Sequence, residues 1–219
     1  LALARRFQST LLLVGRTPLE EGEAAEDPET AGITDEKKLK AILSDRLRSE
    51  GKKLRPLDVE NAYKRLSARR EIRETLDRIR ETGAKAAYFQ ADVTDAEGFS
   101  RLIESIYSDY GRIDGVVHGA GRIADKRVKD KSADAFDQVF DTKADSLFIL
   151  SRALRPESLQ FLALFSSAAG RFGNAGQADY GAANEVYNKT AQYLNRIWPG
   201  RVIAFIWGPW ESRGMVSGA

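Results

Sequence analysis

Three polar side chains fall close together late in the chain. Ser167 stands in Phe165-Ser-Ser-Ala-Ala-Gly170, just past an apolar run, and Tyr180 and Asn184 stand in Gln177-Ala-Asp-Tyr180-Gly-Ala-Ala-Asn184. Asn184 lies one helical turn beyond Tyr180, so the two side chains share a helix face. A hydroxyl and a phenol placed together can hold and protonate an oxygen that gains charge. A phenol with an ordinary pKa near ~10 is a poor proton donor at neutral pH unless a positive charge stabilises its phenolate. Lys143, on the preceding helix, is placed to supply that charge.

Composition removes other chemistries. The chain has 219 residues and no cysteine, which excludes a disulfide scaffold, a thiolate metal site and a Cys nucleophile. His118 is the single histidine, so a His-based metal cluster is excluded as well. With 34 Lys+Arg against 32 Asp+Glu and a mean hydropathy of -0.40, the balance favours neither nucleic acid nor membrane. No apolar run approaches the ~18–20 residues that span a bilayer. The opening residues Leu1–Phe7 are too short for a secretory signal and carry their charges on the wrong side. The expectation is a soluble cytoplasmic protein with one α/β domain of roughly 200 residues.

The layout places the polar residues at strand ends. Leu1, Leu3, Ala4 and Phe7 have helical spacing, and Thr10–Val14 is a continuous apolar run that suits a strand buried on both faces. From Pro18 to about Asp35 the composition reads as an exposed insertion. A basic helix follows from Glu36, ended by Gly51, and then a long helix with Asp58 as N-cap and Gly83 as C-cap. Beyond it strands and helices alternate. Strands are expected at Lys85–Ala91, Asp114–His118, Leu159–Phe165 and Arg201–Ile206. Helices are expected at about Asp95–Tyr110, from Ser132 as cap to Leu154, and at Ala178–Ile197, with a Ser/Gly/Ala loop after Phe165. This pattern calls for a doubly wound parallel sheet, which binds ligands at the carboxyl ends of its strands.

The set Lys143, Ser167, Tyr180 and Asn184 resembles the short-chain dehydrogenase/reductase superfamily. More narrowly, it resembles the ketoreductase domains of polyketide and polyunsaturated-fatty-acid synthases. Most of the superfamily carries a Lys four residues after the Tyr. The synthase ketoreductases carry Asn there and draw the Lys from the earlier helix, like Phe136-x-x-Val139-x-x-x-Lys143-Ala-Asp-x-Leu147 here. The helix from Pro56 to Gly83 also looks like the insertion of the polyunsaturated-fatty-acid and enediyne-type branch. The resemblance implies a Rossmann-like sheet with helices on both faces and residues 1–219 as one catalytic domain, partial at both ends. Residues 18–83 form an inserted helical segment within it, and the first strand with its glycine-rich turn is expected before Leu1. It implies NADPH-dependent reduction of a β-ketoacyl thioester to the β-hydroxyacyl form. The substrate would ride on the phosphopantetheine arm of an acyl carrier protein, with other synthase domains in cis. Tyr180 then donates the proton, Ser167 hydrogen-bonds the carbonyl oxygen, Lys143 makes the phenol more acidic and contacts the nicotinamide ribose, and Asn184 completes the relay.

The resemblance also assigns cofactor contacts. Gly15, Arg16 and Thr17 end a strand where an Arg pairs the adenosine 2′-phosphate, which points to NADPH; a carboxylate there would favour NADH. Asp92 and Val93 resemble the pair that contacts adenine. His118, Gly119, Ala120 and Gly121 resemble the turn lining the cofactor, where small residues allow close approach. Phe172 stands eight before Tyr180 in place of the Trp of one stereochemical class. Ile123-Ala-Asp125 resembles the Leu-Asp-Asp signature of the other, a lean towards a D-hydroxy product. Ser166 is read as pointing away from the site of its neighbour, and Tyr187 and Tyr193 as core or helix-surface residues. The basic stretch Lys37–Arg73 reads as a solvated face or a docking surface for an acidic carrier. A second reading is a ketoreductase-like scaffold that binds no cofactor.

Overall fold

The apolar run near the start pairs with the strand that follows the long charged helix. A computed structural model describes residues 1–19, 27–49 and 55–210. Contacts divide the chain into two compact units, Leu1–Ala91 and Asp92–Ala219. In the first, β1 (Leu11–Gly15) lies parallel to β2 (Ala86–Gln90), with Leu11 opposite Ala86 and Gly15 opposite Gln90. Helix α1 (Ala2–Phe7) precedes β1, and α2 (Glu36–Ser49) and α3 (Pro56–Arg80) lie between the strands. Ala4, Ile79 and Ala84 form a core against which Leu1, Leu11, Leu13 and Ala86 pack. Helix α2 rests on α3, where the Lys40 ammonium reaches Glu60 at 2.6 Å and sits 4.9 Å over the Tyr63 ring.

One expectation for this unit is corrected. Asp58 is not the N-cap of α3; Arg55 is, and the Asp58 carboxylate accepts the Arg55 N–H at 3.0 Å from one turn inside the helix. Pro56 sets this start, since its fixed φ and missing N–H suit the first helical position. The described part of the Pro18–Asp35 stretch is mostly exposed, as expected, and is held to the unit at Thr30. Thr30 is 2% exposed, and the Arg70 guanidinium donates to the carbonyls of Thr30 and Ile33, each at 2.7 Å. Gly83 lies just past α3 with φ +86°, a left-handed turn that favours glycine. The remainder of the expected insertion (residues 20–26) and the Gly51 stop lie outside the described residues.

In the second unit, β3 (Gly115–His118), β4 (Phe161–Ser167) and β5 (Arg201–Trp207) form a wholly parallel sheet in that order. Strand β4 is central, and its consecutive residues Leu162, Ala163 and Leu164 are all buried. That is why it reads as an unbroken apolar run. Helix α4 (Ala96–Tyr110) opens on Asp95, whose carboxylate accepts the Gly98 N–H at 3.0 Å, and it buries Phe99, Ile103, Ile106 and Tyr107. Helix α5 (Ala133–Ala153) opens on Ser132, whose hydroxyl accepts the Ala135 N–H at 3.3 Å. Helix α7 (Ala178–Ile197) packs on α5, β4 and β5. Among the described residues, no helix is long and apolar enough to cross a membrane.

The stretch after β4, expected as a loop, is a short helix, α6 (Ala168–Phe172). Ser167 caps it by accepting the Ala169 N–H at 3.3 Å, and Ala-Ala behind a Ser cap favours a helical turn. Gly173, with φ +74°, ends it. The consequence for the site is direct: Ser167 is both the last residue of a strand and the first support of a helix.

Candidate active site

Strand β4 delivers Ser167 and helix α7 delivers Tyr180, and α6 fixes the spacing between them. Both side chains are half-buried. Gly170 of α6 lies so close to α7 that a Cβ there would meet the Asn184 Cβ at 2.8 Å and the Asn184 carbonyl carbon at 3.0 Å. At Gly181 a Cβ would stand 3.1 Å from the Ala169 carbonyl oxygen. Gly170→Ala should therefore push α6 off α7, because the obstacle is backbone. We expect a loss of about 1–3 kcal/mol in unfolding free energy and a fall in turnover as Ser167 shifts. Denaturant titration checks the first and steady-state kinetics the second; wild-type values for both would contradict this packing.

Lys143 enters from α5 and is 2% exposed. Its ammonium donates to the Phe165 carbonyl at 2.8 Å. It sits 4.3 Å from the Tyr187 ring centroid and 6.0 Å from that of Tyr180. Lysine and phenol are thus brought together on the α5–α7 side of the sheet. Burial pulls the Lys143 amine down to about 8. Between there and the ordinary lysine value the unfolded chain binds more protons than the folded one. This group's contribution to stability therefore rises with pH across that window and is smallest below it.

His118 ends β3 with its ring turned inward. Its Nε2 lies 2.7 Å from the Ser146 hydroxyl, and its ring centroid lies 5.4 Å from that of Tyr187. Ser146 spends its own hydrogen on the carbonyls of Thr142 and Lys143, at 2.6 and 3.0 Å. Nε2 therefore carries the hydrogen, and His118 is the donor. Burial, with a smaller contribution from the Lys143 charge, lowers His118 to about 3, so it stays neutral at working pH. Tyr187 is fully buried, and burial pushes its phenol up. Its hydroxyl lies near Ser146 but has no hydrogen-bond partner of good geometry among the described residues.

Asn184 is fully buried on α7 and donates to the Tyr180 carbonyl at 2.7 Å, while its Oδ1 has no protein partner among the described residues. Ser166 points into α7, donating to Asn188 Oδ1 at 2.8 Å. Tyr193 is exposed. Gly119 is exposed, with Ala120 and Gly121 half-buried. Asp125 accepts from Gln177 Nε2 at 2.9 Å, and Phe172 is exposed.

In the first unit, Gly15 closes β1, where a Cβ would stand 2.8 Å from the Tyr88 hydroxyl. That hydroxyl donates to the Thr17 carbonyl at 2.8 Å. Arg16 between them is exposed and makes no hydrogen bond or ion pair among the described residues. In the second unit, Asp92 accepts the Thr94 N–H at 3.0 Å and its hydroxyl at 2.7 Å, with Val93 half-buried beside it.

Ser146 and the contact of Tyr187 with the Lys143 ammonium escape a motif reading. The signal for both is periodicity: Ser146 is one turn beyond Lys143, and Tyr187 is one turn beyond Asn184 and two beyond Tyr180.

Comparison with known proteins identifies the family. The family model for the KR domain matches residues 2–212. A polyunsaturated fatty acid synthase polypeptide of Thraustochytrium sp. is 32% identical over 212 residues, which is 94% of this chain and 7% of that protein. The polyketide synthase PksN of Bacillus subtilis is 37% identical over 145 residues, 64% of this chain and 3% of its own length. The chain thus spans only a small part of these curated relatives. The crystal structure of a ketoreductase domain from the bacillaene assembly line is 30% identical, with a TM-score of 0.67, over 100% of this chain and 42% of that one. Its Rossmann-like α/β fold is shared here. The chain belongs to the KR-domain family, the ketoreductases of polyketide and polyunsaturated-fatty-acid synthases within the short-chain dehydrogenase/reductase superfamily.

Proposed function

We propose that this chain is the NADPH-dependent ketoreductase domain of a cytoplasmic multidomain synthase. In this reading it reduces a β-ketoacyl thioester to the β-hydroxyacyl form, with the acyl chain held on the phosphopantetheine arm of an acyl carrier protein. The observation that carries the reading is the buried ammonium of Lys143, brought by α5 against Tyr180 and Tyr187 of α7 with no carboxylate paired to it among the described residues. A buried cation without a counter-ion is costly and so points to a charge that develops during turnover.

Each unit by itself offers groups of the kind a dinucleotide uses. Of the three N–H donors of Lys143, one is used by the Phe165 carbonyl, which leaves two for ribose hydroxyls. The exposed Arg16 guanidinium is free for a 2′-phosphate, to which it would pair in bidentate fashion. When bound, the nicotinamide supplies the hydride. Tyr180 gives its proton to the substrate oxygen as negative charge builds there. Ser167 accepts from the Ala169 N–H, so its own hydrogen remains available to hold the same oxygen. The Lys143 ammonium stabilises the phenolate left behind. The unpartnered Oδ1 of Asn184 accepts a hydrogen bond in the relay that returns a proton to Tyr180.

The test is reduction of a β-ketobutyryl thioester of a pantetheine mimic, followed as dinucleotide oxidation. NADPH should support turnover and NADH should support it poorly. In Arg16→Ala, loss of one charge-assisted contact of about 1.5–3 kcal/mol should raise the KM for NADPH by roughly 10- to 150-fold and leave the KM for NADH unchanged. Equal use of both dinucleotides by the unaltered chain would overturn the NADPH assignment.

A further inference from the structure

Beyond the residues that touch substrate or cofactor, a second buried charge pair sits where the two catalytic helices begin. Lys131 and Asp179 are 3% and 1% exposed at their side chains and are in direct contact. Lys131 is the residue on which the 3-10 turn Val128–Asp130 ends, immediately before Ser132, the cap of α5. Its ammonium also donates to the Ala124 carbonyl at 2.8 Å. Asp179 lies in the first turn of α7, and its second oxygen accepts the Tyr180 N–H at 2.9 Å. One ammonium and one carboxylate therefore connect the loop after β3, the start of the helix that carries Lys143, and the backbone of Tyr180.

Neighbouring contacts reinforce the same junction. Gln177 is 7% exposed and donates to Asp125 at 2.9 Å while accepting from Asn174 at 3.0 Å. The Lys126 N–H donates to the Gly176 carbonyl at 3.0 Å. The segment before Tyr180 and the loop after β3 are thus held by side chains and backbone together.

Stability alone does not account for such a pair. Desolvating two ions offsets most of their attraction, and apolar replacement of a buried pair is often neutral or stabilising, whereas removal of one partner is strongly destabilising. What apolar residues cannot supply is directed contact with the Ala124 carbonyl and the Tyr180 amide. We infer that Lys131 and Asp179 are positioning residues for ketoreduction: their buried pair fixes the Tyr180 backbone and the origin of α5 relative to each other. The inference rests on the ketoreductase reading for its kinetic consequence and on the contacts alone for its structural one.

The experiment compares the full chain with Lys131→Met, Asp179→Leu and the double variant. The single variants should unfold more readily than the parent, and the double variant should recover its unfolding midpoint. In the recovered double variant, amide hydrogen exchange should be faster at least 10-fold in peptides covering 123–131 and 174–181 and unchanged in β4. Its kcat for the β-ketothioester should be at least 10-fold lower, with KM for NADPH within about two-fold, since no cofactor contact is removed. A double variant with parental exchange in both segments and parental kcat would overturn the inference and leave the pair a packing feature. Should the parent chain show no ketoreduction, the functional reading fails, yet the exchange comparison still decides whether the pair orders the Tyr180 segment. Should the double variant fail to refold, Lys131→Arg serves instead. It keeps the charge but not the small ammonium, so the same exchange and kcat changes are expected, and their absence would be equally contrary.

Discussion

Tyr180→Phe is expected to lower ketothioester turnover by about 10²- to 10⁴-fold, the range for loss of a positioned general acid. Dinucleotide binding, followed by fluorescence titration, should change little. The substitution removes one oxygen from a half-buried ring and leaves the helix untouched: the Tyr180 N–H still meets Asp179, and its carbonyl still accepts from Asn184. Stability should stay near the parent value for the same reason. No nearby phenol can substitute. Tyr187 has its hydroxyl fully buried beside Ser146, away from any solvent-reached oxygen, and Tyr193 is 61% exposed on the far part of the helix. Retained turnover in this variant would remove the proposed mechanism.

Lys143→Met is the second large effect. In the proposed mechanism the ammonium acts on charge that appears only as the proton leaves Tyr180, so its loss should appear in kcat, by about 10²- to 10³-fold. Folding should respond in the opposite sense. The side chain is 2% exposed with a single hydrogen bond, and methionine fills a similar volume without a charge to desolvate. The variant should therefore unfold no more easily than the parent while turning over far more slowly. A parallel loss of stability and activity would mean that Lys143 serves the fold, and the kinetic argument would lose its support.

Much of the architecture is visible in residue patterns, for reasons specific to each element. Strand β4 is central and buried on both faces, so Phe161–Phe165 carries an unbroken apolar run. Helix α7 shows its limits because Trp198-Pro199-Gly200 stops it and Gln177 precedes it. Helix α6 is not visible in this way. Ala168-Ala169-Gly170 has no periodic apolar face, and the turn depends on a cap from Ser167 and on contact with α7. Arg55 as the cap of α3 is hidden for a related reason: Asp58 has the better side chain for a cap, and Pro56 decides the matter through its φ.

The site divides in the same way. Ser167, Tyr180 and Asn184 are close in sequence, and Lys143 stands out once a cation is sought on the preceding helix. The Lys131–Asp179 pair joins residues 48 positions apart, and neither carries a local signature. A lysine in a charged stretch reads as solvated until its burial is seen in three dimensions. Tyr187 is a core residue, as its apolar surroundings suggest, yet its ring also faces the Lys143 ammonium. Packing and contact with that ammonium coincide in one side chain, which no spacing rule separates.

The most direct measurement is the pH dependence of single-turnover reduction by NADPH-loaded protein. Two of the groups around the ammonium are held out of the working range. His118 is held near 3 and Tyr187 is pushed up, so neither changes charge across neutral and mildly alkaline pH. Lys143, lowered to about 8, does. The rate constant should be level through neutrality and fall with a midpoint near pH 8, and Lys143→Met should be slow and lack that limb. A parent rate that stays level up to the ordinary lysine value of ~10.4, or the same limb in Lys143→Met, would contradict the assignment of the buried ammonium to catalysis.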